Sequence, residues 1–375
     1  MASEAQLDSS HQNRAFITLD GLRGIAALMI AARHAPIWPS GHPTRFLGES
    51  YLAVDFFFVL SGFVLAYAYG ERLRTGMNTR RFMAIRLTRL YPLYFLAFLL
   101  SLGLNIDHLK YVPEGAISLF PTVLFALLFL PDPVHPSTQM FPMNGPAWSL
   151  FFELVANFFY GLAGRHLTTA RCAAICAGAA AVLLIAVPSR WFGFGGGNGA
   201  MDAGTYWGTF YAGLARVTYS FFAGVLLYRL RESGRIMRVR GIPPIVVMAA
   251  LIAVLGVQPQ KGHGAYDLIA TLALFPCLVH VGADSLPDKV SARLFSALGV
   301  MSYAVYVLQG PLFAIWTRIS PLLTQDRLTG GLLGIGFLAA VALLADKVFD
   351  RPLRGFLSRP RTDREQIILS SDTPS

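Results

Sequence analysis

The chain repeats one feature along most of its length, an apolar run long enough to cross a bilayer, followed by a short polar connection. A transmembrane helix needs ~20 such residues. Hydrophobic residues make up 54% of the 375 residues and charged residues only 14%, against roughly 25% charged in a soluble domain. This pattern excludes one large soluble core, a coiled coil, a disulfide scaffold and a disordered chain. The sequence predicts an all-α, polytopic membrane helix bundle.

Ten of the apolar runs are predicted to span the membrane. They are Phe16–Arg33, Tyr51–Tyr69, Leu90–Leu104, Ala147–Ala163, Arg171–Val187, Tyr206–Leu227, Ile242–Val257, Tyr266–Val281, Leu294–Trp316 and Leu328–Val348. An eleventh run, Ala116–Leu130, contains Pro121 and has about 15 residues, fewer than a crossing usually needs. We therefore expect this run to be a short re-entrant or interfacial segment.

The arginines predict the orientation of these spans. They cluster in the connections Glu71–Arg89 and Leu230–Gly241. With ten spans and a cytoplasmic N-terminus both connections are cytoplasmic, as the positive-inside bias requires, whereas eleven spans would place the second one outside. The net charge of +10 is thus explained by orientation, and no nucleic-acid partner is expected.

The same reasoning divides the chain into three parts. We expect a polar N-terminal tail over 1–15, a membrane domain over 16–350 and a basic, polar tail over 351–375. Both tails are predicted to be cytoplasmic, in a multi-pass protein of the bacterial inner membrane. Three cysteines in apolar surroundings give no metal-binding pattern, so no metal is expected.

Charged residues inside the first span need a partner or a purpose, because insertion of each costs at least ~2.5–3.5 kcal/mol. Asp20 and Arg23 are three residues apart and can form an ion pair on one helical face. His34 follows Arg23 by three full turns, so both side chains point in nearly the same direction along ~16 Å of helix. His34 is a candidate base or, alternatively, a histidine that reaches interfacial water.

Other polar residues within the spans are candidates for the same site. Asp55 could hold the second ring nitrogen of His34, and the pair Ser61 and Gly62 is expected to serve helix packing. Glu153 lies among four phenylalanines and is either an acid/base group or the partner of Arg216. The ten-span topology places His34, Asp55, Glu153 and Gln309 in the extracytoplasmic half. It places Arg86 and Arg89 at the cytoplasmic face.

Five ordered motifs give the chain a family resemblance. They are LDGLRGIAALMIAARH, YLAVDFFFVLSGFVLAY, IRLTRLYP, PAWSLFFE and SYAVYVLQGPL. The sequence resembles the acyltransferase-3 family of integral membrane acyltransferases, in the form without a fused SGNH domain. The resemblance implies a ten-helix bundle that transfers an acyl group, usually acetyl, from cytoplasmic acyl-CoA to a hydroxyl, often on an extracytoplasmic sugar.

The resemblance also implies roles for single residues. Arg23 and His34 match the family's Arg…His pair, with His34 catalytic. Arg86 and Arg89 match its RxxR motif, implied in binding the CoA phosphates, and Trp148 and Glu153 match its tryptophan-to-glutamate segment. The chain departs from many relatives at Gln309, where they carry histidine, and at Asp350, where they carry glutamate.

These observations lead to the hypothesis of O-acyl transfer. His34, with Glu153 or Asp55, would take the proton of the acceptor hydroxyl, while Tyr303, Gln309 and Trp148 are candidates to bind substrate or the oxyanion. The expected partners are acyl-CoA as donor substrate, a glycan or lipid-linked saccharide acceptor, and the bilayer; no permanently bound cofactor is expected. A proton-coupled transporter that uses the same ionisable residues, and a catalytically silent scaffold, are the alternatives.

Overall fold

The computed structural model describes residues 16–36, 47–109, 115–134, 139–196, 199–257, 259, 261–323 and 326–358. Helices and turns make up these ranges, which contain no strand and one isolated bridge between Gln139 and Tyr206. The predicted N-terminal tail, 1–15, and residues 359–375 of the predicted C-terminal tail lie outside the described residues.

The helices follow the predicted apolar runs. They are α1 (Ile17–His34), α2 (Ala53–Arg74), α3 (Thr79–Leu109), α4 (Gly115–Leu127), α5 (Ala147–Ala163), α6 (Thr169–Ala186), α7 (Phe210–Glu232), α8 (Pro244–Gly256), α9 (His263–Gly282), α10 (Lys289–Ile319), α11 (Arg327–Ala345) and α12 (Arg351–Leu357). A π-helical turn, Ala270–Leu274, interrupts α9, and a second, Asp346–Asp350, joins α11 to α12.

Seven helices of the described part are long and apolar enough to cross a membrane. They contain α2, α3, α6, α7, α9, α10, and the pair α11 and α12. Three helices at other predicted span positions are shorter or more polar: α8 has 13 residues, α5 has 17, and α1 carries Asp20 beside its arginines. The structure confirms a polytopic all-α bundle, and the count of ten spans stays a prediction.

Glycines allow the central helices to approach closely. A Cβ on Gly24 of α1 would lie 2.4 Å from the Leu298 carbonyl oxygen of α10, and one on Gly62 of α2 would lie 1.9 Å from that of Phe221 in α7. Small residues bring membrane helices together in this way because van der Waals packing drives their association. The contacts align α1 with α10, and α2 with α7, along their lengths.

Five helices form a closed ring. α1 packs against α2 and α10, α10 against α3, α3 against α5, and α5 against α2. The remaining long helices lie outside this ring, with α7 against α2 and α6 against α7. All five motifs of the sequence fall on the ring or directly before one of its helices.

The start of α3 corrects a predicted boundary. The sequence predicts a connection over Glu71–Arg89 and a span from Leu90, but the helix begins at Thr79. Arginine, leucine and methionine favour helix, and Arg86 is buried with 4% exposure. Arg86 therefore lies about two turns inside the helix and not on a cytoplasmic loop.

Candidate active site within the helix ring

Asp20 and Arg23 of α1 form one side of a charged site. Their ion pair measures 3.0 Å between Oδ1 and Nη2, as the spacing predicted. Arg23 also donates from Nε to the Ser302 hydroxyl at 2.8 Å and from Nη2 to the Gly299 carbonyl at 3.1 Å. Arg23 and Asp20 keep 25% and 28% of their side-chain surface exposed, so both side chains are partly accessible.

Glu153 of α5 lies at the meeting point of three ring helices. Its Oε1 accepts from Arg86 Nη2 of α3 at 2.8 Å and from the Ser61 hydroxyl of α2 at 2.6 Å. The Nε atom of Arg86 is buried and has no partner among the described residues. This corrects the predicted separation of Arg86 from Glu153 by half the membrane, and the predicted alternative of a Glu153–Arg216 pair is wrong.

Arg89 completes a set of three guanidinium groups, which we call the arginine cluster: Arg23, Arg86 and Arg89. Arg89 is exposed, one turn beyond Arg86, and its charge acts on both other members. Three positive charges face the two carboxylates of Asp20 and Glu153, so the local charge is positive. Planar guanidinium forks with free donors suit phosphate oxygens.

His34 ends α1 and is exposed, while its partner Gln309 is buried. His34 Nδ1 lies 3.1 Å from Gln309 Oε1. The amide nitrogen of Gln309 donates to the Tyr306 carbonyl at 2.9 Å, which turns the amide oxygen toward the imidazole. An oxygen acceptor there favours the tautomer with the proton on Nδ1, so Nε2 is left as the acceptor of a substrate proton.

Asp55 serves a different purpose from the predicted one. Its two carboxylate oxygens accept from Arg216 Nε at 3.1 Å and Nη2 at 2.5 Å, and Asp55 is fully buried. The prediction that Asp55 orients His34 is wrong, because Gln309 contacts His34 and Asp55 is engaged by Arg216. Trp148 lies 5.5 Å from the Arg216 guanidinium and packs on this structural ion pair.

Tyr306 lies between the arginine cluster and His34. It is one turn beyond Ser302, which binds Arg23, and one turn before Gln309, which binds His34. Its hydroxyl is 2.6 Å from Ser149 Oγ of α5, and its ring meets that of Phe57 edge-on at 5.6 Å. Tyr306 thus lines the ring between its two polar levels.

Arg33 braces the end of α1 beside the histidine. It donates to the carbonyls of Leu47 and Gly48 at 3.2 and 2.6 Å, and its guanidinium lies 5.2 Å from the Tyr51 ring centre. The Tyr51 hydroxyl donates to Asp267 at 2.5 Å. The sequence reasoning missed this brace because its acceptors are mainly backbone carbonyls.

Tyr303, the remaining predicted site residue, contacts a backbone carbonyl group. This candidate for oxyanion binding donates its hydroxyl to the Leu90 carbonyl on the side of Arg89. Among the residues that the structure describes, no group of three or more His, Cys, Asp or Glu side chains could hold a metal ion.

The fold and site define a polytopic membrane protein with an arginine-rich polar site inside a helix ring. The family model described as acyltransferase domain, acyltransferase 3, matches residues 16–346. The chain belongs to this family of membrane acyltransferases, as the motifs predicted.

Three curated proteins are similar to the chain. Protein 2 in the picA locus of Rhizobium radiobacter is 41% identical over 46% of this chain and 94% of its own length. Acyltransferase MdmB of Streptomyces mycarofaciens is 25% identical over 77% of each chain. Exopolysaccharide production protein ExoZ of Rhizobium meliloti is 26% identical over 68% of this chain and 74% of its own. No solved structure matches the chain.

Proposed function

We propose that this membrane acyltransferase moves an acyl group, acetyl in the simplest case, from cytoplasmic acyl-CoA to a hydroxyl of an extracytoplasmic or membrane-associated glycan. The hydrogen bond between His34 and Gln309 carries the proposal, since His34 lies three helical turns beyond Arg23 of the arginine cluster on the same helix. The similarity to a protein named for exopolysaccharide production supports a glycan acceptor.

The donor binds with its phosphates on the arginine cluster. Arg86 keeps a buried, unpartnered Nε, and Arg89 is exposed next to it. Arg23 joins them from α1, bound to Asp20 and Ser302. From this cluster to His34 the helix rises ~16 Å, a span that the extended pantetheine arm of CoA can follow past Tyr306.

The reaction is a direct acyl transfer. The acceptor hydroxyl donates its proton to Nε2 of His34 while its oxygen bonds to the thioester carbon. The carbon–sulfur bond then breaks, and the imidazolium returns the proton to the leaving thiolate. The products are the O-acyl ester and free CoA thiol, with no net change at His34.

Gln309 contributes to this step as a positioning residue. Its carbonyl oxygen holds the Nδ1 proton, so the ring presents Nε2 in the basic tautomer. Glu153 has a separate task, since its carboxylate holds Arg86 in the donor site. We therefore assign the base to His34 alone and the orientation of the arginine cluster to Glu153, Ser61 and Asp20.

The competing function is a proton-coupled transporter that uses the same ionisable groups as a relay. The test is thioester consumption by the purified protein in detergent. With acetyl-CoA and an acceptor, an acyltransferase releases free CoA thiol and forms an ester in equal amounts. A transporter releases no CoA thiol. If the His34→Ala variant also releases none, the release by the unmodified protein is enzymatic and not background hydrolysis.

A further inference from the structure

A cavity opens beside the helix ring, at the level of His34. It has a volume of about 350 Å³ and lies between the end of α3, the turn that leads into α5, and the second half of α10. The residues that line it are Ser101, Leu104, Pro142, Met143, Asn144, Gly145, Gly310, Pro311, Ala314 and Arg318. In the ten-span topology all three segments belong to the extracytoplasmic half.

The cavity adjoins the proposed catalytic residue through the chain itself. Gly310, in its wall, directly follows Gln309, whose side chain contacts His34. Gly310 is also one turn beyond Tyr306, which contacts Ser149 of α5. A molecule in this cavity therefore lies on the far side of Tyr306 from the arginine cluster.

Asn144 supplies an unused hydrogen-bond acceptor to the cavity. It is only 3% exposed, and its amide nitrogen donates to the Val307 carbonyl at 3.2 Å. Its Oδ1 has no partner among the described residues and lies 3.8 Å from the position of a Cβ on Gly310. A buried oxygen without a donor is costly, and a hydroxyl group in the cavity would satisfy it.

We propose that this cavity binds one sugar ring of the glycan acceptor, with Asn144 Oδ1 accepting a hydrogen bond from a ring hydroxyl. The inference rests on the proposed O-acyl transfer and names the acceptor subsite. The volume is at the lower end of the range for small-molecule sites, which suits one ring and not a chain of several. Small glycine and proline residues in the walls leave room for a sugar ring, and the exposed Arg318 offers hydrogen-bond donors.

Gly310 allows the cavity to be filled without disturbing the fold. A Cβ there meets only Asn144 Oδ1, at ordinary van der Waals distance. Leucine is also a better helix former than glycine. Gly336 of α11 is a matched control, because it too is an exposed helical glycine and a Cβ there meets nothing within 4 Å.

The experiment compares Gly310→Leu, Asn144→Ala and Gly336→Leu in detergent. The acceptor probe is a set of oligosaccharides released from the surface polysaccharide of the source organism and chemically stripped of their ester groups. For Gly310→Leu we expect the KM for the oligosaccharide to rise at least about tenfold, and for Asn144→Ala about five- to tenfold. The KM for acetyl-CoA and the thiol release without acceptor stay at the values of the unmodified protein, and Gly336→Leu changes neither.

Three results would overturn the inference. Equal acceptor KM values for Gly310→Leu and Gly336→Leu would show that the cavity is not used. A raised KM for acetyl-CoA would assign the cavity to the donor. The third result combines a loss of thermal stability in Gly310→Leu with a normal acceptor KM for Asn144→Ala. It would show that Gly310 serves helix packing and that the cavity is not an acceptor subsite. Failure of the unmodified protein to acylate any oligosaccharide would instead refute the proposed function itself.

Discussion

Gln309 Oε1 lies 3.1 Å from Nδ1 of His34, and the amide nitrogen of Gln309 is held by the Tyr306 carbonyl. Like the histidine and carboxylate pairs of many hydrolytic enzymes, this pair fixes which ring nitrogen of the histidine carries the proton. A neutral amide achieves this without adding a charge to the interior of the bundle.

Replacing His34 with alanine should abolish transfer while the protein still folds and inserts. The side chain is exposed at the end of α1 and packs little, and a general base contributes about 10²–10⁴-fold to rate. Ester formation and thiol release measured together check this. Activity near that of the unmodified protein would show that His34 is not the base and only reaches interfacial water.

Replacing Gln309 with leucine should lower kcat by a smaller factor, about tenfold, with the KM for acetyl-CoA unchanged. Leucine is similar in volume but cannot accept a hydrogen bond from Nδ1–H, so the tautomer with a basic Nε2 is no longer favoured. Gln309→Glu, which keeps the acceptor oxygen, should retain more activity than Gln309→Leu. If both variants behave alike, Gln309 serves packing and does not position the histidine.

Replacing Arg86 with glutamine should weaken donor binding, with a rise in the KM for acetyl-CoA of about tenfold or more. The change removes a guanidinium that donates charged hydrogen bonds to the CoA phosphates, and such hydrogen bonds are worth about 1.5–3 kcal/mol. Arg80→Gln is the matched control, since Arg80 is exposed near the start of the same helix. Equal KM values for the two variants would contradict the role of the arginine cluster.

Replacing Arg216 with alanine should destabilise the protein without a specific effect on catalysis. It leaves Asp55 as an uncompensated buried charge, a change that costs about 3–5 kcal/mol. The double variant Arg216→Met with Asp55→Leu should recover much of the loss in thermal unfolding in detergent. A stable Asp55→Asn protein that had lost only kcat would return Asp55 to the catalytic site.

The sequence was sufficient for the fold class because the bilayer leaves only helices and closed barrels as solutions. It also predicted the Asp20–Arg23 pair, which depends on spacing within one helix. It could not predict which helices are neighbours, and each error in the site follows from that. Depth in the membrane alone paired Asp55 with His34 and separated Glu153 from Arg86. In the structure, α2 packs on α7 and α3 packs on α5, and this packing selects the actual partners.

Ser61 shows a related limit. Its neighbour Gly62 does pack closely against α7, as predicted for the pair. Successive helical residues point in different directions, however, so Ser61 turns to Glu153 on another helix. The role of a small polar residue in a membrane helix is decided by the partner that its face meets.

The central claim is acyl transfer to a glycan by His34, and its most direct test is mass spectrometry of the surface polysaccharide. The parent strain of the source organism is compared with its deletion strain, and with the deletion strain supplied with either the unmodified gene or His34→Ala at matched protein levels. We predict that acyl mass increments on the glycan disappear on deletion, return with the unmodified gene and stay absent with the variant. Unchanged glycan acylation across all four strains would contradict the account.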